Sequence, residues 1–278
     1  MSAIEDRVSA HYTTEDLMTR IRAGLMAAGA NPAAPRPEDL KPVDEFHTGG
    51  VVATDALLDQ LEISVDTLVL DIGAGLGGTA RHIARTRGAH VTGVDLTEAF
   101  VEVAQTLSRM AGMAQRTAFR HSSALDLRFT ADSFDLATMF HVGMNIADKA
   151  RLMTEVHRVL EPGGIFALFD VMALEKDAAI SFPVPWAETE DLSFVATPGT
   201  YRDAARAAGF EAVRERERSQ FALEYFSRLF RTIEAHGMPP LGLHLLMRDT
   251  ATTKLANYVA AVEAGAIAPF EMIFRKAG

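Results

Sequence analysis

The stretch Val69-Leu70-Asp71-Ile72-Gly73-Ala74-Gly75-Leu76-Gly77-Gly78 leaves few folds open to this chain. Its first four residues have the apolar, branched character of a buried strand. The glycines that follow permit a sharp turn, because a residue without a Cβ enters left-handed backbone at little cost. Residues 77–87 then read as a helix. A strand, a glycine turn and a helix in succession let a backbone approach a bound group closely and aim a helix N-terminus at it. Gly73, Gly75 and Gly78 also satisfy G-x-G-x-x-G, a pattern shared with dinucleotide-binding turns, so the motif alone leaves the ligand open.

The alternation continues downstream. Strands are expected near 67–72, 89–94, 116–121, 134–140 and 164–170, and helices near 77–87, 97–111 and 147–160. Strand–helix alternation of this kind implies right-handed crossovers and an α/β fold with a mostly parallel sheet covered on both faces. Thr97 is the expected cap of the helix that starts at Glu98. After Asp170 the pattern breaks into an aromatic and proline-rich stretch, followed by a helix near 200–208, a strand near 211–217, two helices across 222–263 and a last strand near 269–275. Ile4 to Met26 reads as one helix with Leu17, Ile21, Leu25 and Met26 on a side. Asn31 to Pro37 breaks any helix, and a further helix is expected from about Val51 to Leu61. The run Arg214-Glu215-Arg216-Glu217-Arg218 alternates in sign and reads as a solvated strand or edge.

Charge and cysteine content narrow the function classes. A net charge of −10 argues against nucleic acid as a partner. The chain has no cysteine, which removes disulfides, thiolate metal sites and cysteine nucleophiles together. The N-terminus is polar, with Glu5, Asp6 and Arg7, and no apolar run approaches the ~20 residues that span a bilayer. A cytoplasmic location without membrane contact is the expectation, and no metal is expected.

Three features beside the glycine turn carry a resemblance. Asp71 precedes the first glycine. Asp95 closes the next apolar strand, 24 residues after Asp71. Glu155-Val156-His157-Arg158-Val159-Leu160-Glu161-Pro162-Gly163-Gly164 then ends a helix in Pro-Gly-Gly before an apolar strand. Together these resemble the class I S-adenosylmethionine (SAM) dependent methyltransferases. A Rossmann oxidoreductase explains the glycines and Asp95 equally well, but not the succession from Phe129 to Gly164. The Phe46-His47-Thr48-Gly49 turn, Gly77-Gly78-Thr79-Ala80-Arg81, Val262-Glu263-Ala264-Gly265 and Met272-Ile273-Phe274-Arg275-Lys276 are similar to the sarcosine/dimethylglycine N-methyltransferases and related small-molecule enzymes.

The resemblance implies a doubly wound, Rossmann-like, seven-stranded sheet with an N-terminal helical lid over residues 1–62. The SAM-binding domain would then cover 63–278, with a cap insertion at about 171–200 after the fifth strand. It also implies SAM as cofactor and S-adenosylhomocysteine as product. Gly73, Ala74 and Gly75 would pass beneath methionine and ribose; Asp71 would serve the ammonium, and Asp95 the ribose hydroxyls. Leu96 and Leu125 would sandwich the adenine, with Ser123, Ala124 and Phe140 also in contact. Related enzymes often carry Asp where Ser123 stands, so the adenine end of this chain departs from the pattern.

The acceptor is less legible. His141, after the fourth strand, is the natural general-base candidate. As a general base it would give an inflection near pH 6–7; a sulfonium displacement by a neutral amine depends chiefly on alignment, so the positioning role is the one expected. Asn145, Trp186, Tyr201 and His47 are the other candidate acceptor contacts. The aromatic group Phe182, Trp186, Phe194, Tyr201, Tyr225 and Phe226 could hold a methylammonium or form a plain apolar cap. A glycine-, sarcosine- or dimethylglycine-like amine is the acceptor placed first. O- or C-methylation of a natural product is the rival, and a non-catalytic SAM-binding protein the reading of another class. The partner is a small molecule, with a homodimer as the assembly to test.

Overall fold

The computed structural model describes residues 2–13, 16–176 and 178–278, Arg248 by its backbone alone. In chain order the elements are helices α1 (Ala3–Tyr12), α2 (Leu17–Ala27), α3 (Pro37–Asp44) and α4 (Gly50–Leu58), strand β1 (Leu68–Ile72), α5 (Gly78–Arg87), β2 (His90–Asp95), α6 (Glu98–Met110), β3 (Thr117–His121), β4 (Phe134–Phe140), α7 (Lys149–Val159), β5 (Leu160–Ala173), α8 (Pro198–Ala208), β6 (Phe210–Glu217), α9 (Ser219–His236), α10 (His244–Met247), α11 (Ala251–Glu263) and β7 (Ile267–Lys276). The seven strands form one sheet in the order β3-β2-β1-β4-β5-β7-β6. Strands β1 to β5 pair in parallel, and β7 runs antiparallel to both β5 and β6.

The period of two along the strands explains why both faces are covered. Leu70 and Ile72 of β1 join Phe166 and Leu168 of β5 in a core with Leu152 and Val156 of α7 and Tyr201 of α8. Val69 points the other way, with Ala167 and Phe169, into a core shared with Leu57 of α4, Ile83 of α5 and Ala104 of α6. The sheet order reverses direction beside β1, so β1 and β4 open a crevice at their carboxyl ends, where doubly wound folds bind ligands.

Several local expectations need correction. The helix expected from Ile4 to Met26 is two helices, α1 and α2; Thr14 and Glu15, inside that expectation, lie outside the described residues. Asp16 precedes α2 with φ 56°, a left-handed turn that a continuous helix cannot contain. Leu17, Ile21 and Leu25 are buried as expected, but Met26 is 66% exposed. Helix α3 was hidden between the proline stretch and the glycine turn: Pro37 sits in its first turn, where a missing N–H costs nothing. Three helices, not two, occupy the stretch after β6, since α10 separates α9 from α11. Thr97 holds the N-cap position of α6 without a side-chain capping bond; its amide instead donates to Asp95 Oδ1 at 2.8 Å. The charged run is an exposed edge strand, yet Arg216 and Arg218 are not merely solvated: both pair with buried Glu271.

Candidate cofactor and acceptor sites

The crevice is a cavity of about 320 Å³. Every residue the resemblance assigned to the cofactor lines it: Asp71, Gly73, Ala74, Gly75, Asp95, Leu96, Ser123, Ala124, Leu125 and Phe140. Asp95 is fixed by two backbone amides, Gly75 N–H on Oδ2 and Thr97 N–H on Oδ1, both at 2.8 Å. Each oxygen keeps a second lone pair for a ribose hydroxyl. Asp71 accepts from Thr138 Oγ1 at 2.9 Å through Oδ1. Its Oδ2 is buried without a hydrogen-bond partner. Burial pushes the Asp71 carboxyl up to about 7, opposed by Thr138 and reinforced by the Glu45 and Asp95 charges. A buried acceptor left open in this way suits an ammonium.

The glycines divide the labour. A Cβ on Gly75, at φ +53°, would meet no protein atom within 4 Å, so the space over this residue is free for a ligand. A Cβ on Gly73 would lie 2.2 Å from Val142, and one on Gly78 2.4 Å from Asp44. Gly78 therefore serves the docking of α3 on α5. The residues present fit SAM as the resemblance implies: Asp71 would meet the ammonium, Asp95 the ribose, and Leu96 and Leu125 the ring.

Comparison with known proteins agrees with this geometry. A family model described as "Methyltransferase domain" matches residues 70–168. Residues 70–168 thus match a methyltransferase domain of the SAM-dependent kind. A glycine/sarcosine/dimethylglycine N-methyltransferase of Actinopolyspora halophila is 28% identical over 229 residues, 82% of this chain and 40% of that one. A sterol 24-C-methyltransferase of Gibberella zeae is 33% identical over 102 residues, 37% of this chain and 27% of its own length. The chain thus spans less than half of these curated relatives. A putative sarcosine dimethylglycine methyltransferase from Galdieria sulphuraria shares the fold, with a TM-score of 0.69 at 18% identity over 93% of this chain and 98% of that one.

The protein has a second cavity, of about 380 Å³, that meets the first at Tyr12, Phe46, His47 and His141. His141 follows β4 with φ 52°, a left-handed conformation uncommon for a residue other than glycine. Its amide is held by Phe169 O at 2.7 Å. Its Nε2 is buried and has no hydrogen-bond partner. Burial, and then the neighbouring His47, hold its pKa well below the ordinary histidine range, so the ring is neutral. His47 bonds Glu45 Oε2 through Nε2 at 2.9 Å. Glu45 also takes Thr54 Oγ1 at 3.0 Å and Lys41 Nζ at 2.6 Å. Burial opposes its charge, but His47 and Lys41 outweigh this and hold its carboxyl far below the usual range.

The other acceptor candidates fare differently. Trp186 lines the second cavity, with Nε1 donating to Ser193 Oγ at 2.9 Å. Asn145 lines the first cavity but not the second. Its amide is spent within the protein, accepting from Tyr12 Oη at 2.8 Å and donating to Trp186 O at 2.9 Å. Tyr201 lines neither cavity. Its hydroxyl donates to buried Asp170 Oδ2 at 2.6 Å, and a Cβ on Gly143 would press on both groups. Tyr201 therefore supports the loop after His141 from below and is not an acceptor contact. Of the remaining aromatic group, Tyr225 and Phe226 line the second cavity, whereas Phe182 and Phe194 do not. Sequence reasoning missed Glu5, Tyr12 and Glu45. For Glu5 a signal existed: Ser2-Ala3-Ile4-Glu5 has the form of a capping box, and both of its bonds are present.

One prediction follows from Asp71. Below about pH 7 its carboxyl carries a proton and cannot pair with an ammonium. Affinity for S-adenosylhomocysteine, measured by titration calorimetry, should rise as pH climbs through 7, by up to about tenfold per unit below that point. Asp71→Asn should bind weakly and flatten the dependence. A wild-type affinity that is level from pH 5.5 to 8 would remove Asp71 from the ammonium site.

Proposed function

We propose that this chain transfers the methyl group of SAM to a hydroxyl of a bulky, largely apolar small molecule. The observation that carries the reading is the second cavity with the open His141 Nε2 at its junction with the first. SAM, when bound, supplies the activated methyl. The far end of the second cavity is built from Leu229, Phe230, Ile233, Met238, Leu241 and Leu255, which suits an apolar body. Its polar end holds His47, His141, Thr48 and Tyr258, the last two bonded to each other at 2.9 Å.

An acceptor such as glycine or sarcosine needs a cation for its carboxylate. Among the described lining residues Lys41 is the one lysine or arginine, and it is bound to Glu45. A hydroxyl acceptor uses what the site offers. Once a neutral hydroxyl attacks, its oxygen becomes far more acidic than an imidazolium, so even a weakly basic His141 Nε2 can take the proton.

The test is a panel of acceptors assayed by release of S-adenosylhomocysteine. Phenols and hydroxylated polycyclic compounds should turn over, and glycine, sarcosine and dimethylglycine should not. Turnover of sarcosine with a kcat/KM equal to that of the best phenol would reverse the assignment toward the amine. Binding of SAM without turnover of any acceptor would favour a non-catalytic role.

A further inference from the structure

At the adenine end of the first cavity the protein offers few polar groups. Ile4, Leu96, Ala124 and Leu125 make an apolar slot for a flat ring, and the side chains of this cavity able to accept a hydrogen bond include those of Ser123 and Glu5. The exocyclic amine of adenine is a donor, so its recognition needs an acceptor in the plane of the ring. Ser123 is poorly free for that task. Its Oγ accepts from Leu125 N–H at 3.0 Å and donates its one hydrogen to Glu5 Oε1.

Glu5 is better placed. It stands on α1, which crosses the cavity through Ser2, Ile4, Glu5, Val8 and Tyr12. Its Oε2 accepts from Ser2 N–H at 2.6 Å, completing the capping box. That role needs one oxygen only. The other oxygen reaches Ser123, 118 positions away in the chain. A carboxylate has about four acceptor positions, so two remain after these bonds. Burial disfavours the charge of Glu5, yet the bonds from Ser123 and Ser2 outweigh it and hold its carboxyl below the ordinary range. An ionised acceptor therefore stands at the rim of the slot.

We infer that Glu5 reads the amino group of the cofactor's adenine, with Ser123 as the positioning residue that aims it. The inference rests on the SAM reading of the first cavity. It assigns to a helix from the N-terminal segment the carboxylate that the third strand lacks, so base recognition and the docking of α1 over the cavity become one event.

The probe pair is S-adenosylhomocysteine and S-inosylhomocysteine, which differ in that the amino donor at C6 becomes a carbonyl acceptor and the neighbouring N1 changes from acceptor to N–H donor. Calorimetry on the wild type should show clear preference for the adenosyl compound. Glu5→Ala should weaken adenosyl binding by about 10- to 100-fold, the range for a hydrogen bond to a charged group. It should leave inosyl binding unchanged or improved, so that the preference collapses. Arg7→Ala separates recognition from mere docking: it cuts the exposed ion pair of α1 with Asp191, 2.5 Å long, without touching Ser123. That variant should keep the wild-type preference. The inference is overturned if Glu5→Ala keeps the preference, or if Arg7→Ala loses it as fully as Glu5→Ala does. Failure of the wild type to bind either compound would overturn the SAM reading and this inference with it, whereas tight binding with an unchanged ratio would sink the inference alone.

Discussion

His141→Asn should lower turnover at saturating acceptor by roughly 10²–10⁴-fold, the usual contribution of a positioned proton acceptor. Asparagine is the informative replacement. It tolerates the left-handed backbone that His141 adopts at φ 52°, so the loop after β4 should keep its course. It also presents a polar side chain, yet it cannot carry the acceptor's proton. The pH profile gives a second readout. Burial and His47 hold the His141 pKa well below its ordinary value. The ring is therefore already neutral near pH 6, and the wild-type rate should stay level through pH 6–7 as far as this group is concerned, falling only in stronger acid. This replaces the inflection near pH 6–7 that an unperturbed histidine implies. A loss below tenfold that resides in the acceptor KM would assign His141 to positioning instead. The same experiment with a phenol and with its amine isostere would show whether the loss tracks the hydroxyl, as proposed.

The fold was legible because its signals are local. The glycine turn, the acids at two strand ends and the Pro-Gly-Gly break each sit within a few residues of the element that they terminate. The ten residues assigned to the cofactor share one cavity for the same reason: they lie at carboxyl ends of neighbouring parallel strands, which topology alone brings together. The acceptor side was less legible because its residues meet through tertiary packing. Tyr201 follows an aromatic-rich stretch, but α8 carries it to Asp170 on the interior strand β5. Trp186 and the α9 residues Tyr225 and Phe226 meet across a gap of about forty positions, and no periodicity announces that they share a wall. Glu5 illustrates the limit most clearly. Its capping box can be read from four consecutive residues, whereas its bond to Ser123 depends on how α1 lies across the sheet. Aromatic composition suggested a cation-holding cage. The arrangement places those rings beside a long aliphatic lining, which is why a bulky apolar acceptor is the better reading.

The largest loss of stability should come from a buried ion pair whose carboxylate residue lines the first cavity. Arg81 is 1% exposed, and its Nη2 reaches Asp44 Oδ1 at 2.5 Å. Its Nη1 reaches Ser108 Oγ at 3.2 Å, so one guanidinium ties α3, α5 and α6 together. Arg81→Met should destabilise the protein by about 3–5 kcal/mol, since it leaves Asp44 buried without its partner. In a chain of this size that corresponds to a fall of roughly 10 °C in Tm. Asp44→Leu alone should be comparably harmful, because Arg81 would then be unpaired. The double variant should recover much of the loss, as a buried ion pair is often no better than an apolar replacement. The pH dependence points the same way. Burial raises the Asp44 carboxyl to about 6 in spite of Arg81, against about 3.9 in an unfolded chain. A group raised in the folded state favours folding most below its unfolded value, and that contribution fades as pH rises through 6. Asp170, raised to about 6 by burial, and Asp71, raised to about 7, act in the same direction. His141 and His82, held below the ordinary histidine value by burial, act in the opposite direction between pH 5.5 and 7.5, so the readout is the difference between variants: without cofactor, Asp44→Asn should change Tm relative to the wild type more favourably at pH 7.5 than at pH 5.5. Because Gly78 packs directly on Asp44 at the start of α5, strain here is also transmitted to the glycine turn, and Arg81→Met should weaken S-adenosylhomocysteine binding as well. A double variant as unstable as the sum of the singles would show that the two residues act separately and that the pair is not the tie between the N-terminal helices and the sheet.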